Sequence, residues 1–189
     1  MTYAVFFDVL PKKGFVDAYF GMAAGLKPIV EKNPGFISVE RFENLGKAGW
    51  YLSYSQWVDE QALSAWRCQH DHHEAQVCGR SLVLEDYRLR VASEQNIESK
   101  KACVLSVVGD FEEVQIAAQN LAESCDHEAR LFRGVINPAR GIALLDCDFE
   151  DASKTKSSLS GHQSIHIAVH EVQRDYGMFN RAQAPSVFA

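Results

Sequence analysis

Trp66 and the histidines that follow it are the side chains best suited to chemistry in this sequence. His70, His72 and His73 lie within seven residues of Trp66. An indole can stack on an aromatic ligand, and an imidazole exchanges protons near neutral pH. The combination predicts a site that binds an aromatic compound and moves a proton. The alternative is that Trp66 only packs the core and His72 is an exposed polar residue. We expect His70 and His73 to be exposed to solvent.

Two short helices must position these side chains. Asp59 is placed to cap the first helix, because its carboxylate can accept free N–H groups of the first turn. Asp71, with Glu74 three residues on, has the spacing of a second cap. Gly79 is predicted to end this second helix in the left-handed conformation. Trp66 would then lie near an elbow, and His72 in a first turn. There the helix dipole disfavours an imidazolium, so His72 is predicted to be neutral and able to act as a general base.

A second histidine set, His162, His166 and His170, has the spacing of metal ligands on a helix. The neighbouring residues Ile165 and Val169 favour a strand instead, on which His166 and His170 are too far apart for one zinc ion. We therefore expect no metal. The sequence contains no G-x-S-x-G, P-loop or G-x-G-x-x-G motif, so no nucleotide, flavin or nicotinamide cofactor is indicated.

Composition narrows the class of protein. The chain has 189 residues, 47% of them hydrophobic, and a net charge of −6, which allows one domain or two small ones and argues against a nucleic-acid partner. No apolar run approaches the ~20 residues of a membrane span, and the first residues lack the features of a signal peptide. The cysteines are odd in number and form no C-x-x-C pair, which favours reduced thiols and a cytoplasmic location: Cys68, Cys78, Cys103, Cys125 and Cys147.

Residues 1–95 are predicted to form one α+β domain of order β-α-β-β-α-β, a ferredoxin-like sandwich. The predicted strands are residues 2–10, 36–43, 50–57 and 82–91, and the first helix is residues 15–31. Gly25 and Pro28 are expected to kink or restart that helix.

Residues 96–189 are predicted to form a second, degenerate domain of the same order after a polar linker over residues 92–101. The predicted strands are residues 102–109, 129–136, 141–147 and 164–172. The helices are residues 111–124, with Val114, Ala117, Ala118 and Leu121 on one stripe, and a weak helix over residues 148–160. The tail, with Tyr176, Met178, Phe179 and Pro185, is expected to pack over another part of the protein.

The first half resembles the antibiotic biosynthesis monooxygenase family, whose members are dimeric α+β barrels. The resemblance is carried by Trp57, Trp66, His72, Ala75-Gln76, Gly79-Arg80 and Asp86 to Val91, and upstream by Pro34-Gly35-Phe36 and Glu40-Arg41. It implies a cofactor-independent monooxygenase that oxidises a small aromatic or quinol-like compound. Trp66 and His72 would be catalytic, and Phe7, Tyr51 and Gln76 would bind substrate. The alternative is a non-catalytic binding or assembly module, whose space around Trp66 would be filled rather than open.

A second branch of that family degrades heme with an Asn, a Trp and a His. At the positions aligned with that Asn and His this chain has Phe7 and Gln76. Since an amide cannot replace an axial imidazole, no heme is expected.

A ferredoxin-like sheet leaves one face bare, here the face of Ala4 and Phe6. The family covers it with a second subunit. In this chain the second half could do the same, so either an intrachain pseudo-dimer or a homodimer is expected. Asp8 lies on this face and needs a partner or water.

Overall fold

The computed structural model describes residues 2–94, 102–124, 128–158 and 164–186. The first run of elements is β1 (Thr2–Pro11), α1 (Val16–Val30), β2 (Phe36–Asn44), β3 (Tyr51–Trp57), α2 (Glu60–Arg67), α3 (His70–Cys78), a π-helical turn (Gly79–Val83) and β4 (Leu84–Glu94). The second run is β5 (Ala102–Asp110), α4 (Phe111–Ser124), β6 (Ala129–Gly134), β7 (Arg140–Asp148), α5 (Phe149–Ser158) and β8 (Ile165–Gly177). Most of the predicted linker lies outside the described residues.

The eight strands close one barrel within this single chain. Their order around the barrel is β1-β3-β2-β6-β7-β5-β8-β4, and all neighbours are antiparallel. The two halves join where β2 pairs with β6 and where β4 pairs with β8. The second half therefore covers the sheet face that the first half alone would expose.

The barrel interior is apolar and is built by both halves. Strand alternation sends Ala4 and Phe6 inward from β1, where they meet Phe132, Ile142 and Leu144 of the second half. Phe6, Phe132 and Leu144 have no exposed surface. Burying a large apolar side chain contributes about 1.5–3 kcal/mol, so this shared core is the main force that holds the halves together.

Asp8 finds its partners inside the barrel. One carboxylate oxygen accepts from Arg90 Nη2 at 2.7 Å and the other from Arg130 Nη1 at 3.1 Å. Both arginines also bond to Asp146. Because Arg130 and Asp146 belong to the second half, this ionic network links the halves in addition to the apolar core.

Helices cover the outside of the barrel. In the second half Val114, Ala117 and Leu121 of α4 are buried against the strands, as the predicted stripe requires. In the first half α1 is one helix that runs through Gly25 and Pro28, so the predicted restart is wrong. Pro28 lies near the end of α1, where its missing N–H removes only one late hydrogen bond. Within the described part of the chain, every helix is too short or too polar to cross a bilayer.

Candidate functional site

The elbow between α2 and α3 is held by side-chain caps. Asp59 accepts from the Ala62 amide at 2.7 Å and caps α2, as predicted. Asp71 does not cap α3: the helix begins at His70, and Gln69 is its N-cap, accepting from the His72 amide at 2.7 Å. An amide oxygen accepts here in place of a carboxylate, and α3 begins two residues earlier than predicted because its cap is Gln69 and not Asp71.

The predicted role of Gly79 is also wrong. Its φ and ψ are −54° and −53°, which is ordinary right-handed helix. The chain continues into the π-helical turn over Gly79–Val83, which delivers it to β4. This turn replaces the predicted end of the helix at a left-handed Gly79. As a result β4 begins at Leu84 instead of Leu82.

Trp66 and His72 form a stacked pair at this elbow. Their ring centroids are 4.3 Å apart and the planes are inclined by 13°. Trp57, fully buried at the end of β3, stacks behind Trp66 with centroids 6.4 Å apart. His72 is thus partly buried against aromatic surface, and the expectation that it is merely an exposed polar residue does not hold.

The contact with the Trp66 carbonyl favours one tautomer of His72. Nδ1 lies 3.0 Å from that carbonyl oxygen, which can only accept, so we assign the hydrogen to Nδ1. In the neutral ring Nε2 is then the acceptor nitrogen. Gln76 Nε2 donates to the Arg67 carbonyl at 3.1 Å. It also lies 3.2 Å from His72 Nδ1, but since both nitrogens then carry hydrogen this is a packing contact and not a hydrogen bond.

The pKa of His72 is lowered to about 4, chiefly because burial penalises the imidazolium, while the bond to the Trp66 carbonyl opposes that shift. Its neutral state, predicted from the helix dipole, therefore follows mainly from desolvation. At physiological pH the ring is a neutral hydrogen-bonding group with one acceptor nitrogen.

A cavity of about 540 Å³ opens beside this pair, between the first-half sheet and its helices. Its lining is predominantly apolar and includes Phe36, Trp57, Leu63, Tyr87 and Leu89. A cavity of this size and character suits a small apolar molecule.

Four of the five predicted site residues line this cavity: Trp66, His72, Phe7 and Gln76. Phe7 projects from β1 and meets Tyr87 edge to face, with ring centroids 5.6 Å apart. Tyr51 is not among the lining residues. It lies on the same sheet face but at the far end of β3, where its ring packs against Phe20.

Several residues that line the cavity were not predicted from any pattern in the sequence. Arg41 of β2 faces the cavity beside Tyr19, whose pKa is raised by burial and lowered in part by the Arg41 guanidinium. Arg174 and Tyr176 reach the cavity because β8 continues five residues past the predicted end at Val172. Nothing in the local pattern near residue 172 revealed this extension, which depends on pairing with β4.

The C-terminal tail forms the remaining wall. Met178 N donates to the Tyr87 carbonyl at 3.0 Å, and Arg181 Nη1 donates to the Tyr87 hydroxyl at 2.6 Å. Arg181, Pro185 and Ser186 then line the cavity. The tail thus packs over the first half, although Phe179 remains exposed.

The other histidines lie elsewhere. His70 is exposed and lies 3.3 Å from Glu74, whereas His73 is partly buried, so its predicted exposure is wrong. His170 is buried in the barrel, with Nε2 2.9 Å from the Ser106 hydroxyl. His162 lies outside the described residues. Over the described ranges no three His, Cys, Asp or Glu side chains are grouped so as to hold a metal ion.

Comparison with known proteins agrees with this architecture. The sequence profile described as antibiotic biosynthesis monooxygenase matches residues 2–77. Jasmonate monooxygenase ABM of Pyricularia oryzae is 30% identical, with 98% of each chain covered. The uncharacterized protein YqjZ of Bacillus subtilis is 32% identical over 48% of this chain and 76% of its own.

Among solved structures, aldoxime dehydratase (OxdRE) in complex with butyraldoxime resembles the chain with a TM-score of 0.60. It is 5% identical, and the match covers 90% of this chain and 79% of that one. A likeness at this identity shows the fold alone. The full-length match to the Pyricularia protein, together with the profile match, shows that this chain belongs to the antibiotic biosynthesis monooxygenase family.

Proposed function

We propose that the chain is a cofactor-independent monooxygenase that oxidises a small aromatic or quinol-like compound in the cavity beside Trp66. Family membership and the name of the Pyricularia relative support a monooxygenase. The observation that carries the finer proposal is the stacked pair of Trp66 and His72, both of which line a predominantly apolar cavity.

In the proposed reaction the indole of Trp66 and the ring of Phe7 bind the aromatic body of the substrate. His72 Nε2 accepts a proton from a phenolic hydroxyl or an acidic C–H. Because the lowered pKa makes His72 a weak base, an acidic substrate is required, and the anion formed beside the imidazolium would raise the pKa of His72 in the complex. Gln76 keeps the imidazole in position.

The deprotonated substrate is electron-rich enough to react with oxygen directly. One oxygen atom enters the substrate, and the other leaves as water with two hydrogens that the substrate loses. A phenol or quinol loses one from a C–H and one from an O–H, whereas an anthrone loses both from its methylene carbon. These bonds supply the electrons that reduce the second oxygen atom to water, so the balance requires no external reductant. The protein contributes binding, exclusion of bulk water and proton transfer.

The alternative function is that of a non-catalytic binding module. A space around Trp66 filled by side chains would favour this alternative. The open cavity, with His72 among its lining residues, favours the enzyme instead. The name of the Pyricularia relative makes jasmonate a second candidate substrate, to be tested beside quinols and anthrone.

We also propose that residues 1–95 and 96–189 are two ferredoxin-like repeats acting as an intrachain pseudo-dimer. The repeated order of elements and the barrel closed by one chain support this interpretation over a homodimer through the same face. A cytoplasmic location is proposed because four cysteines of the described residues, Cys68, Cys78, Cys103 and Cys147, form no disulfide.

The test is oxygen uptake by the purified chain with a panel of quinols, anthrone and jasmonate. The proposal expects substrate-dependent uptake that falls at least about 100-fold in His72→Ala, since a general base contributes roughly 10²–10⁴-fold. His70→Ala is the matched control because His70 is exposed on the same helix. Uptake equal in all three proteins, or none with any compound, contradicts the proposal.

A further inference from the structure

Three arginines from three separate segments line the cavity. Arg67 is the last residue of α2, Arg174 lies on the extension of β8, and Arg181 belongs to the tail. We call these three residues the arginine cluster. Two of them come from the second half of the chain, so this wall is completed only by the closed barrel and its tail.

The cluster is part of a wider charge bias. Six of the 33 lining residues are Lys or Arg, and only one, Glu60, is acidic. The whole chain has the opposite balance, with 25 acidic and 19 basic residues. A cationic cavity in an acidic protein is therefore a local property of this site. It is not a reflection of overall composition.

Within the cluster the positive charge is incompletely neutralised. Arg174 Nη1 pairs with Glu60, which is also within 3.5 Å of the Tyr3 hydroxyl. Arg181 donates to the neutral Tyr87 hydroxyl at 2.6 Å. Among the described ion pairs none involves Arg67 or Arg181. Of the three guanidinium groups in the cluster, only that of Arg174 is paired with a carboxylate in the described ion pairs.

All three arginines lie near Tyr176. Burial raises the pKa of the Tyr176 phenol, and Arg174, Arg67 and Arg181 each oppose that rise, so all three lie close enough to act on the same hydroxyl. Like charges gathered beside partly buried groups are unfavourable unless an anion joins them. Guanidinium groups bind carboxylates through paired N–H donors, which a Lys cannot reproduce.

Apolar side chains line the same cavity. Trp57, Trp66, Leu63 and Leu89 contribute aromatic and aliphatic surface, and Leu89 lies beside Tyr176 because the two residues pair across β4 and β8. A ligand that satisfies both the arginines and this apolar surface has an apolar body and one anionic group.

We propose that the cavity binds a small apolar carboxylate, with its carboxylate group on Arg67 and Arg181 and its apolar body against Trp66. This inference assigns the substrate class of the proposed monooxygenase and rests on that function. Arg181 makes the tail a specificity element, since its guanidinium reaches the ligand from a segment beyond the last strand. Glu60 limits the charge by holding Arg174.

The test uses 2-naphthoate and the neutral 2-naphthamide, which share one ring system, with binding read by quenching of tryptophan fluorescence. In the unmodified protein naphthoate should bind at least about ten-fold more tightly than the amide at low ionic strength. Raising NaCl from about 20 mM to about 500 mM should weaken naphthoate binding and leave amide binding nearly unchanged. These two comparisons require no substitution.

Variants then locate the anion. Arg67→Gln and Arg181→Gln should each weaken naphthoate binding at least about five-fold and change amide binding less than about two-fold. Arg133→Gln is the matched control, because it removes the same charge where Arg133 covers the Phe111 ring outside the cavity. Equal affinity for the two compounds, binding of neither, or an equal loss in Arg133→Gln would overturn the inference.

The same measurements separate this inference from the proposed function. Oxygen uptake with neutral quinols, without preference for naphthoate, would leave the monooxygenase and remove the carboxylate site. Charge-selective binding of naphthoate without oxygen uptake by any compound would support the carboxylate site and contradict the monooxygenase function.

Discussion

The backbone carbonyl of Trp66 lies 3.0 Å from Nδ1 of His72, while the indole of the same tryptophan covers the face of the imidazole at 4.3 Å. One residue therefore fixes both the tautomer and the ring plane of the candidate base. The elbow between α2 and α3 makes this possible, because it turns the chain back within six residues.

The first prediction concerns the ionisation of His72. Nitrogen NMR should show the neutral ring with hydrogen on Nδ1 at pH 6, and a titration midpoint near the pKa of about 4. Below its ordinary value of 6.5 the unfolded state binds more protons than the folded state, so this histidine lowers stability as pH falls from about 6.5 to about 4. A midpoint near 6.5 would contradict the burial described here.

The second prediction separates the two stacked tryptophans. Trp57→Ala should cost about 3–5 kcal/mol of unfolding free energy, because that indole is buried and its removal leaves a cavity. Trp66→Ala should cost at most about 2 kcal/mol, since Trp66 is only partly buried, yet weaken ligand binding more strongly. Urea unfolding and a fluorescence titration measure the two effects. Equal losses of stability would show that Trp66 is a core residue.

The third prediction concerns the ionic link between the halves. Asp8→Ala should destabilise the fold by roughly 3–5 kcal/mol, because it leaves the buried Arg90 with less compensation. Asp175→Ala is the matched control: it removes the half-exposed pair with Arg88 and should cost less than about 1 kcal/mol. Chemical denaturation of both variants provides the comparison, and similar costs would argue against a buried network.

The fourth prediction concerns heme. Titration with hemin should give no Soret band that survives gel filtration. The sequence resemblance predicts that Gln76 occupies the position of an axial histidine. Its amide donates to the Arg67 carbonyl at 3.1 Å, and a carboxamide does not replace imidazole on iron. A stable Soret band that disappears in His72→Ala would identify His72 as an iron ligand and overturn this expectation.

Local patterns in the sequence predicted much of this architecture. The bounds of α4, Phe111–Ser124, follow directly from its apolar stripe, and Asp59 caps α2 as its spacing suggested. The cap at Gln69 was missed because Asp is a more frequent N-cap residue than Gln. Capping preferences do not describe how the chain packs at the elbow between α2 and α3.

Long-range pairing explains the other differences. The extension of β8 to Gly177 depends on its pairing with β4, and the position of Arg181 depends on Tyr87, about ninety residues earlier in the chain. Tyr51 was assigned to the correct sheet face, but its distance along β3 from the elbow could not be read from alternation. The site residues contributed by the tail were therefore outside the reach of local sequence patterns.

A single-turnover reaction under ¹⁸O₂, with a quinol or anthrone substrate and protein dialysed against EDTA, tests the proposed monooxygenase reaction most directly. That reaction predicts one labelled oxygen atom in each product molecule, the other in water, and no dependence on added iron, flavin or nicotinamide. It also predicts that His72→Ala forms labelled product at least about 100-fold more slowly, while His70→Ala matches the unmodified protein. An unlabelled product, a requirement for an added cofactor, or equal rates in His72→Ala and His70→Ala would contradict it.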